Sequence, residues 1–236
     1  MTTTRNRGKH SNDDQLFSAK WHSIFEEAVD DLSYLFSRGY AENSALQIVG
    51  NRYRLNKRQR NAISRISCGE QAILGRAKSE CRAVDLEGET VEIDGFNLLI
   101  LLESALSGAY IFKGRDGLFR DISSVHGSYK RVVKTAEAIS LIGTVLNACK
   151  IKSAKWYLDQ PVSNSGRLKT RLMEFNEMEK FNWEVELVFD PDKVLAQSNN
   201  IVISSDGWIL DHAERWFNLG AVLVEDHIKG ANVIEV

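Results

Sequence analysis

Apolar positions in this chain keep two different rhythms, and the change falls near residue 80. Before it they recur at helical spacing: Trp21, Ile24, Phe25, Ala28, Val29, Leu32, Leu35 and Phe36 share one stripe. Gly39 ends that helix as a C-terminal glycine. Asn43 and Ser44 offer an N-cap for a second helix over 45–49. A turn at Gly50-Asn51 leads to a third helix over about 56–67 and a fourth through Lys78. Beyond residue 80 short apolar runs alternate with amphipathic stretches. Extended segments are predicted at 82–86 and 90–93, a helix over 96–106 and a strand over 109–112. A turn over 114–117, a short extended piece at 118–122 and a loop over 123–129 follow. Val132, Val133, Ala136, Ile139, Ile142, Leu146 and Cys149 then mark a long amphipathic helix. Next come a strand over 154–158, a helix over about 166–180 and a strand over 183–189 with one wet face. A strand over 201–204 follows. Trp208, Ile209, His212, Ala213, Trp216 and Phe217 share a helical face, and 221–224 reads as a last strand. Strands alternating with helices predict an α/β domain over 81–236, with a mostly parallel sheet flanked by helices. A small all-helical unit over 16–80 precedes it, behind a polar, disordered arm over 1–15.

Composition narrows the class. The 236 residues are 43% apolar and 26% charged, as in ordinary globular proteins, and the formal net charge is −2. Nucleic-acid binding must therefore come from local patches. One such patch lies between Asn43 and Gly69, where Arg52, Arg54, Lys57, Arg58, Arg60 and Arg65 meet no Asp or Glu. Ser44-Ala45-Leu46-x-x-Val49-Gly50 before this basic helix resembles a helix-turn-helix, which would lay the helix on a phosphate backbone. A helical bundle with a basic outer face is the alternative. In the arm, Arg5, Arg7, Lys9 and His10 read as a solvated tail. The three cysteines have no metal-ligand spacing and suit reduced thiols in a cytoplasm. The longest apolar run is 98–102, so no membrane role is expected.

The chemistry rests on three aspartates. Asp94, Asp159 and Asp206 each end an apolar strand and precede a helix. In a parallel sheet the strand ends share one edge, so the three carboxylates are expected to converge. Converged carboxylates repel unless a cation lies among them, and hard cations such as Mg²⁺ suit them. Helix capping is the competing explanation at each position. Asp211 is a fourth candidate, while Asp190 and Asp192 read first as a turn and cap around Pro191.

These residues resemble a superfamily. Val91-Glu92-Ile93-Asp94-Gly95-Phe96-Asn97-Leu98-Leu99 looks like the opening strand of PIN-like nucleases, especially the NYN branch. Trp156-Tyr157-Leu158-Asp159 followed by Lys169 resembles the middle strand of that fold, and Ile201-Val202-Ile203-Ser204-Ser205-Asp206 its late element. The resemblance implies a PIN-like fold and a Mg²⁺- or Mn²⁺-dependent nuclease. Asp94, Asp159, Asp206 and Asp211 would ligate metal, and Asn97 would orient a ligand or water. PIN-like sites usually include an acid on a middle helix, for which Glu137 is the best-placed residue. The likeness departs at Asp159, which Gln160-Pro161 follows. The chain is also similar to an uncharacterised prokaryotic family that pairs a basic helical part with this domain. Gly50-Asn51-Arg52-Tyr53, Phe119-Arg120-Asp121-Ile122 and His126-Gly127-Ser128-Tyr129 carry that likeness, which implies no activity.

Further cations surround the predicted edge. Arg115, Lys130 and Arg131 lie in or beside the 115–129 loop, where His126 is placed for proton transfer or for fixing the loop. Arg167 and Lys169 follow Ser163-Asn164-Ser165, which reads either as a phosphate-binding helix start or as plain caps. No Gly-x-Gly-x-x-Gly, Walker-type or Gly-x-Ser-x-Gly motif is present. The leading expectation is phosphodiester hydrolysis with nucleic acid as partner, RNA ahead of DNA. Its rivals are a non-catalytic nucleic-acid-binding or regulatory protein and, last, a Toprim-like phosphotransfer domain using Glu92. A homodimer is left open.

Overall fold

A computed structural model describes residues 6–123 and 127–236. The outermost arm residues, 1–5, and His126 with its two preceding neighbours lie outside the described residues.

Helices α1 (Asp13–Leu16), α2 (His22–Ser37), α3 (Glu42–Arg52), α4 (Lys57–Ile66) and α5 (Glu70–Ser79) form the N-terminal region. Phe25, Ala28, Val29 and Leu32 of α2 are buried, as their stripe requires. A capping box fixes the start of α4: Asn56 accepts from the amides of Arg58 and Gln59, and the Gln59 side chain accepts from the Asn56 amide. Helix α3 differs from expectation, since it begins at Glu42 and runs through Gly50 to Arg52. Gly50 does not break it. A Cβ there would come within 2.6 Å of Arg60 Nε, so the glycine answers a close approach. The chain turns after Tyr53 instead, with Arg54 in the left-handed region at φ 53°.

The arm is also less loose than its polar composition suggests. Asp13 is fully buried against Arg58, whose Nη2 also donates to the Gly8 carbonyl at 2.8 Å. Arg7 Nε donates to the carboxylate of Glu103, itself fully buried, and Arg7 Nη2 donates to the Lys130 carbonyl at 2.7 Å. Paired charges let polar residues enter the interior.

The remaining elements alternate. They are β1 (Glu80–Cys81), β2 (Thr90–Asp94), α6 (Gly95–Leu106), β3 (Tyr110–Lys113), β4 (Phe119–Arg120) and α7 (Thr135–Ala148). Then come β5 (Ser153–Asp159), α8 (Ser165–Glu179), β6 (Trp183–Val188), α9 (Pro191–Ala196), β7 (Ile201–Ile203) and α10 (Gly207–His212). β8 (Trp216–Phe217), α11 (Leu219–Val222) and β9 (Asn232–Ile234) complete the chain. Six strands form an all-parallel sheet in the order β1-β8-β7-β2-β5-β6. The expected α/β domain with a parallel sheet flanked by helices is therefore present. A small second sheet, β4-β3-β9, joins the N-terminal helices: Phe112 of β3 and Ile234 of β9 are buried with Phe17, Phe25 and Ile63.

Three local expectations fail. Residues 83–86 form a 3₁₀ turn, because the Asp85 carboxylate captures the Arg82 amide at 2.8 Å. Trp216 and Phe217 are strand rather than helix, and the buried Trp216 indole donates to the Arg76 carbonyl at 2.9 Å. Residues 221–224 are helical. The Asn218 side chain caps α11 at the Ala221 amide, and Leu219, Leu223 and Val224 bury at helical spacing. Valine's strand preference loses to that spacing.

Along β2 the side chains alternate between faces. Val91 and Ile93 join the core beneath α6, α7 and α8. Glu92 and Asp94 take the other face, where α9 and α10 pack with Tyr157, Val202 and Trp216. Gly95 starts α6 hard against β5: a Cβ would lie 2.6 Å from Leu158 Cδ2 and 3.0 Å from the Tyr157 carbonyl oxygen.

Candidate functional site

Strand order locates the site. From β2 the chain winds through β5 to β6 on one side, then returns to β7 on the other side of β2. The carboxyl ends of β2 and β7 thus flank the point where the winding reverses, the usual ligand crevice of open α/β sheets. Ile93 pairs with Ile203, so Asp94 and Ser204 are next to each other at that point. Ser204 Oγ donates to Asp94 Oδ2 at 2.8 Å and accepts from the Asp206 amide at 3.0 Å. Asn97, one turn into α6, accepts from the Ser205 amide at 3.0 Å and from its hydroxyl at 2.7 Å. Its carbonyl oxygen therefore positions the 204–206 loop. Its amide nitrogen, the group left for the expected role of orienting a ligand, keeps no partner among the described residues.

The three aspartates are not equivalent. Asp94 is buried, and its Oδ1 makes a long cap contact to the Asn97 amide at 3.4 Å. Asp206 caps α10 firmly, accepting from the Trp208 amide at 2.8 Å and the Ile209 amide at 3.3 Å through Oδ1. Asp159 ends β5 and caps nothing, because α8 starts six residues later behind Asn164. Its carboxylate has no hydrogen-bond or ion-pair partner among the described residues. The same holds for Asp192, which sequence reasoning ranked second. Helix α9 packs across β2 and β5 and carries Asp192 to the same edge.

Electrostatics join these four. Burial pushes the Asp94 carboxyl up to about 7, against the Ser204 hydrogen bond, with Asp192 and Asp206 adding repulsion. Asp159 is also raised, by burial first and then by Asp190. Asp192 is raised by desolvation first, then by Asp206, Asp159 and Asp190. Like charges held together in this way favour a cation or a shared proton. Among the described residues no three His, Cys, Asp or Glu side chains stand ready to hold one metal ion. The donors are all hard oxygens. That set fits a hydrated Mg²⁺, which typically takes one or two carboxylates and completes its shell with water and substrate phosphate, rather than a closed protein cage.

Other predicted ligands are placed elsewhere. Asp211 is held by Arg76 through Nε at 2.7 Å and Nη2 at 3.0 Å, so it already has a cationic partner. Glu137 is exposed on the first turn of α7 and pairs with Lys134 at 2.6 Å. Glu92 lies below Asp94 on the same face, accepting from Tyr157 at 3.3 Å and Asn200 at 3.1 Å.

The cations divide similarly. Arg58 and Arg60 serve the fold, Arg60 binding the Leu55 carbonyl and Asn51, each at 2.8 Å. Arg52 pairs with Asp31 and Arg115 with Asp30. Arg54 and Lys57 are exposed with no ion pair among the described residues. Lys130, Arg131 and Arg167 come together with Arg171 in a cleft of about 690 Å³ beside the start of α8, and Lys169 lies on the same helix outside it. Ser163 and Asn164 fix that loop, and the Asn164 side chain does not cap α8. The Ser163 carbonyl accepts from the Tyr129 amide at 3.0 Å, and Asn164 Nδ2 donates to the Tyr129 carbonyl at 2.9 Å.

A buried network supports the Asp206 side. Arg76 and Arg120 clasp Asp116, holding its carboxyl below the usual range against the effect of burial. Arg120 Nε also donates to the Ser205 carbonyl at 2.8 Å. None of this was legible in sequence, since Arg120 and Ser205 are 85 residues apart and Arg76 and Asp116 are 40 apart.

Residues 83–222 match the family model described as Domain of unknown function (DUF5616), and residues 24–78 match Protein of unknown function (DUF434). The first match spans more than half of the chain. The chain belongs to the DUF5616 family. An uncharacterized protein of Methanocaldococcus jannaschii is 35% identical over 187 residues, which cover 77% of this chain and 89% of the relative. No solved structure matches the chain. The DUF5616 segment contains β2 to α11 and hence all four edge aspartates. The DUF434 segment holds α3, α4 and all but the ends of α2 and α5. No helix is long and apolar enough to cross a membrane, and Cys68, Cys81 and Cys149 are unpaired, among the described residues.

Proposed function

We propose that this chain is a Mg²⁺- or Mn²⁺-dependent nuclease that hydrolyses phosphodiester bonds of RNA or single-stranded nucleic acid at its carboxylate edge. The PIN-like resemblance belongs to this reading, as does a cytoplasmic location. One observation carries it: Asp159 and Asp192 stand at the crevice with raised carboxyls and no partner among the described residues. Capping explains Asp206 and part of Asp94, but not these two.

A bound divalent ion would supply charge neutralisation at the phosphate and a more acidic attacking water. The chain's own groups do the rest. Ser204 orients Asp94 by donating to one oxygen. Asn97 and Arg120 hold the Ser205 backbone from both sides, which fixes Asp206. Lys130, Arg131 and Arg167, which form no ion pair among the described residues, present positive charge for the substrate backbone.

The test incubates labelled RNA and DNA with the protein, with Mg²⁺ or Mn²⁺ and with chelator. Metal-dependent cleavage of unpaired strands is expected. Asp192→Asn, a surface change with little effect on folding, is expected to slow it about 10²- to 10³-fold, the scale of a single preorganised group in such sites. No cleavage by wild type under any metal condition would sink the reading.

The absence of a ready three-ligand cluster among the described residues favours a second reading, a non-catalytic nucleic-acid-binding or regulatory protein on the same scaffold. It predicts salt-sensitive binding that needs no metal and survives Asp94→Asn.

A further inference from the structure

Two large aromatic side chains lie open at the carboxylate edge, on either side of Asp94. Trp208 follows Asp206 by two residues and is 49% exposed; Phe189 is 77% exposed. Phe189 comes directly after Val188, the β6 residue paired with Asp159. Most large apolar side chains in this fold are buried, so two such residues at one functional edge need an explanation.

The setting of Trp208 differs from accidental exposure. The Trp208 ring packs against His212 at 4.5 Å between centroids, and His212 Nδ1 bonds the Trp208 carbonyl at 2.7 Å. The indole is thus steadied while half of its surface stays open. It also borders a cleft of about 520 Å³ between α5 and α10. Asp206 and Arg65 line the same cleft. Arg65 is exposed with no ion pair among the described residues, unlike Arg58 and Arg60 of the same helix. A cation, an open aromatic face and a carboxylate in one cleft match the phosphate, base and scissile region of a nucleotide. A duplex hides its base faces in stacking, so such platforms select unpaired strands.

We propose that Trp208 and Phe189 are base-stacking platforms that make this edge a single-strand binding site, with Arg65 contacting a phosphate beside Trp208. The inference deepens the nuclease reading and rests on it for the chemistry, though not for the binding. The strand would cross the aspartates with one base on Trp208 and another on Phe189. Specificity for RNA or DNA is not set by stacking, since every base has a π face.

Binding is measured on the full chain in chelator, so that no strand is cut. The probes are a labelled single-stranded RNA, the same sequence as DNA, and the RNA as a duplex. Trp208→Ala and Phe189→Ala are each expected to weaken single-strand binding roughly 5- to 100-fold, the loss of one stacked base. Trp208→Phe is expected to keep most of the affinity. Arg65→Ala is expected to lower the salt slope by about one. Weak duplex binding should not change with either aromatic. Phe189 can be removed without touching the core, so it carries the test if Trp208→Ala fails to fold.

Single-strand affinity unchanged in both alanine variants overturns the proposal. So does an equal loss for duplex, or a wild type that binds no nucleic acid. Loss of self-association or of protein capture, with nucleic-acid affinity intact, would reassign the aromatics to a protein interface. Aromatic-dependent binding without any cleavage in metal would sink the nuclease reading alone. Cleavage that ignores Trp208 and Phe189 would sink this proposal alone.

Discussion

Asp94→Asn is expected to abolish metal-dependent hydrolysis, lowering the rate by about 10²- to 10³-fold or more, the scale of a preorganised charged group. The same substitution is expected to raise the melting temperature at neutral pH. Both effects follow from one placement. Asp94 is buried between Ser204 and the start of α6, and its carboxyl rises to about 7. In the unfolded chain an aspartate titrates near ~3.9. Between those values the folded state holds a proton that the unfolded chain has released, so stability falls as pH rises. The contribution is full below about pH 4 and is lost as pH passes through 7. Asparagine keeps the shape and an acceptor for Ser204 without the charge. Thermal melting of both proteins across this range measures the effect, with the wild type expected to lose stability that the variant keeps. Adding Mg²⁺ above pH 7 is expected to stabilise only the wild type, by RT ln(1 + [L]/Kd), about 2.7 kcal/mol at 100 times Kd. Parallel pH profiles would mean that Asp94 is not destabilised by ionisation.

Arg7→Ala is expected to cost about 3–5 kcal/mol of folding stability, the penalty for leaving a buried charge unpaired. Glu103 lies inside a mostly apolar helix with no exposure. Its carboxylate accepts from Arg7, from the Tyr129 hydroxyl and from the Thr135 hydroxyl. Burial first, and then the Glu103 charge, push the Tyr129 phenol well above its ordinary range. Arg7 also lies 5.0 Å from the centre of the Tyr129 ring and binds the Lys130 carbonyl. Its loss should therefore loosen the wall of the basic cleft as well as the fold. Urea unfolding of Arg7→Ala, Glu103→Leu and the double variant measures the coupling. The double variant is expected to be more stable than the sum of its parts, since no charge is left alone. Additive losses would show that the pair is not coupled.

The parallel sheet was legible because β2, β5 and β7 are short apolar runs that each stop at a polar residue followed by a helix. Periodicity also found α2, α6 and α7. It failed where side chains reach far along the sequence. Arg7 looked like a tail residue because its partner Glu103 is 96 residues away. Arg58 and Arg60 looked like free cations because sequence shows charge and not the distant Asp13 carboxylate and the carbonyls that absorb it. At the site, the strand ends predicted Asp94, Asp159 and Asp206 together. Asp211 looked like a companion acid to Asp206, and only the fold reveals Arg76 holding it. Asp192 was hidden behind a turn signal that is correct for Asp190. The aromatics Trp208 and Phe189 followed apolar patterns, and only their exposure separates them from core residues.

The small sheet β4-β3-β9 sets an order on the life of the chain. Helices α2 and α4 close over Phe112 and Ile234, so the region made first is finished by a strand made last. At ribosomal speeds of about 5–20 residues per second, the early helices would wait on the order of ten seconds or more for Ile234 to emerge. Their apolar stripes stay open to chaperones, or to a neighbouring nascent chain, for that interval.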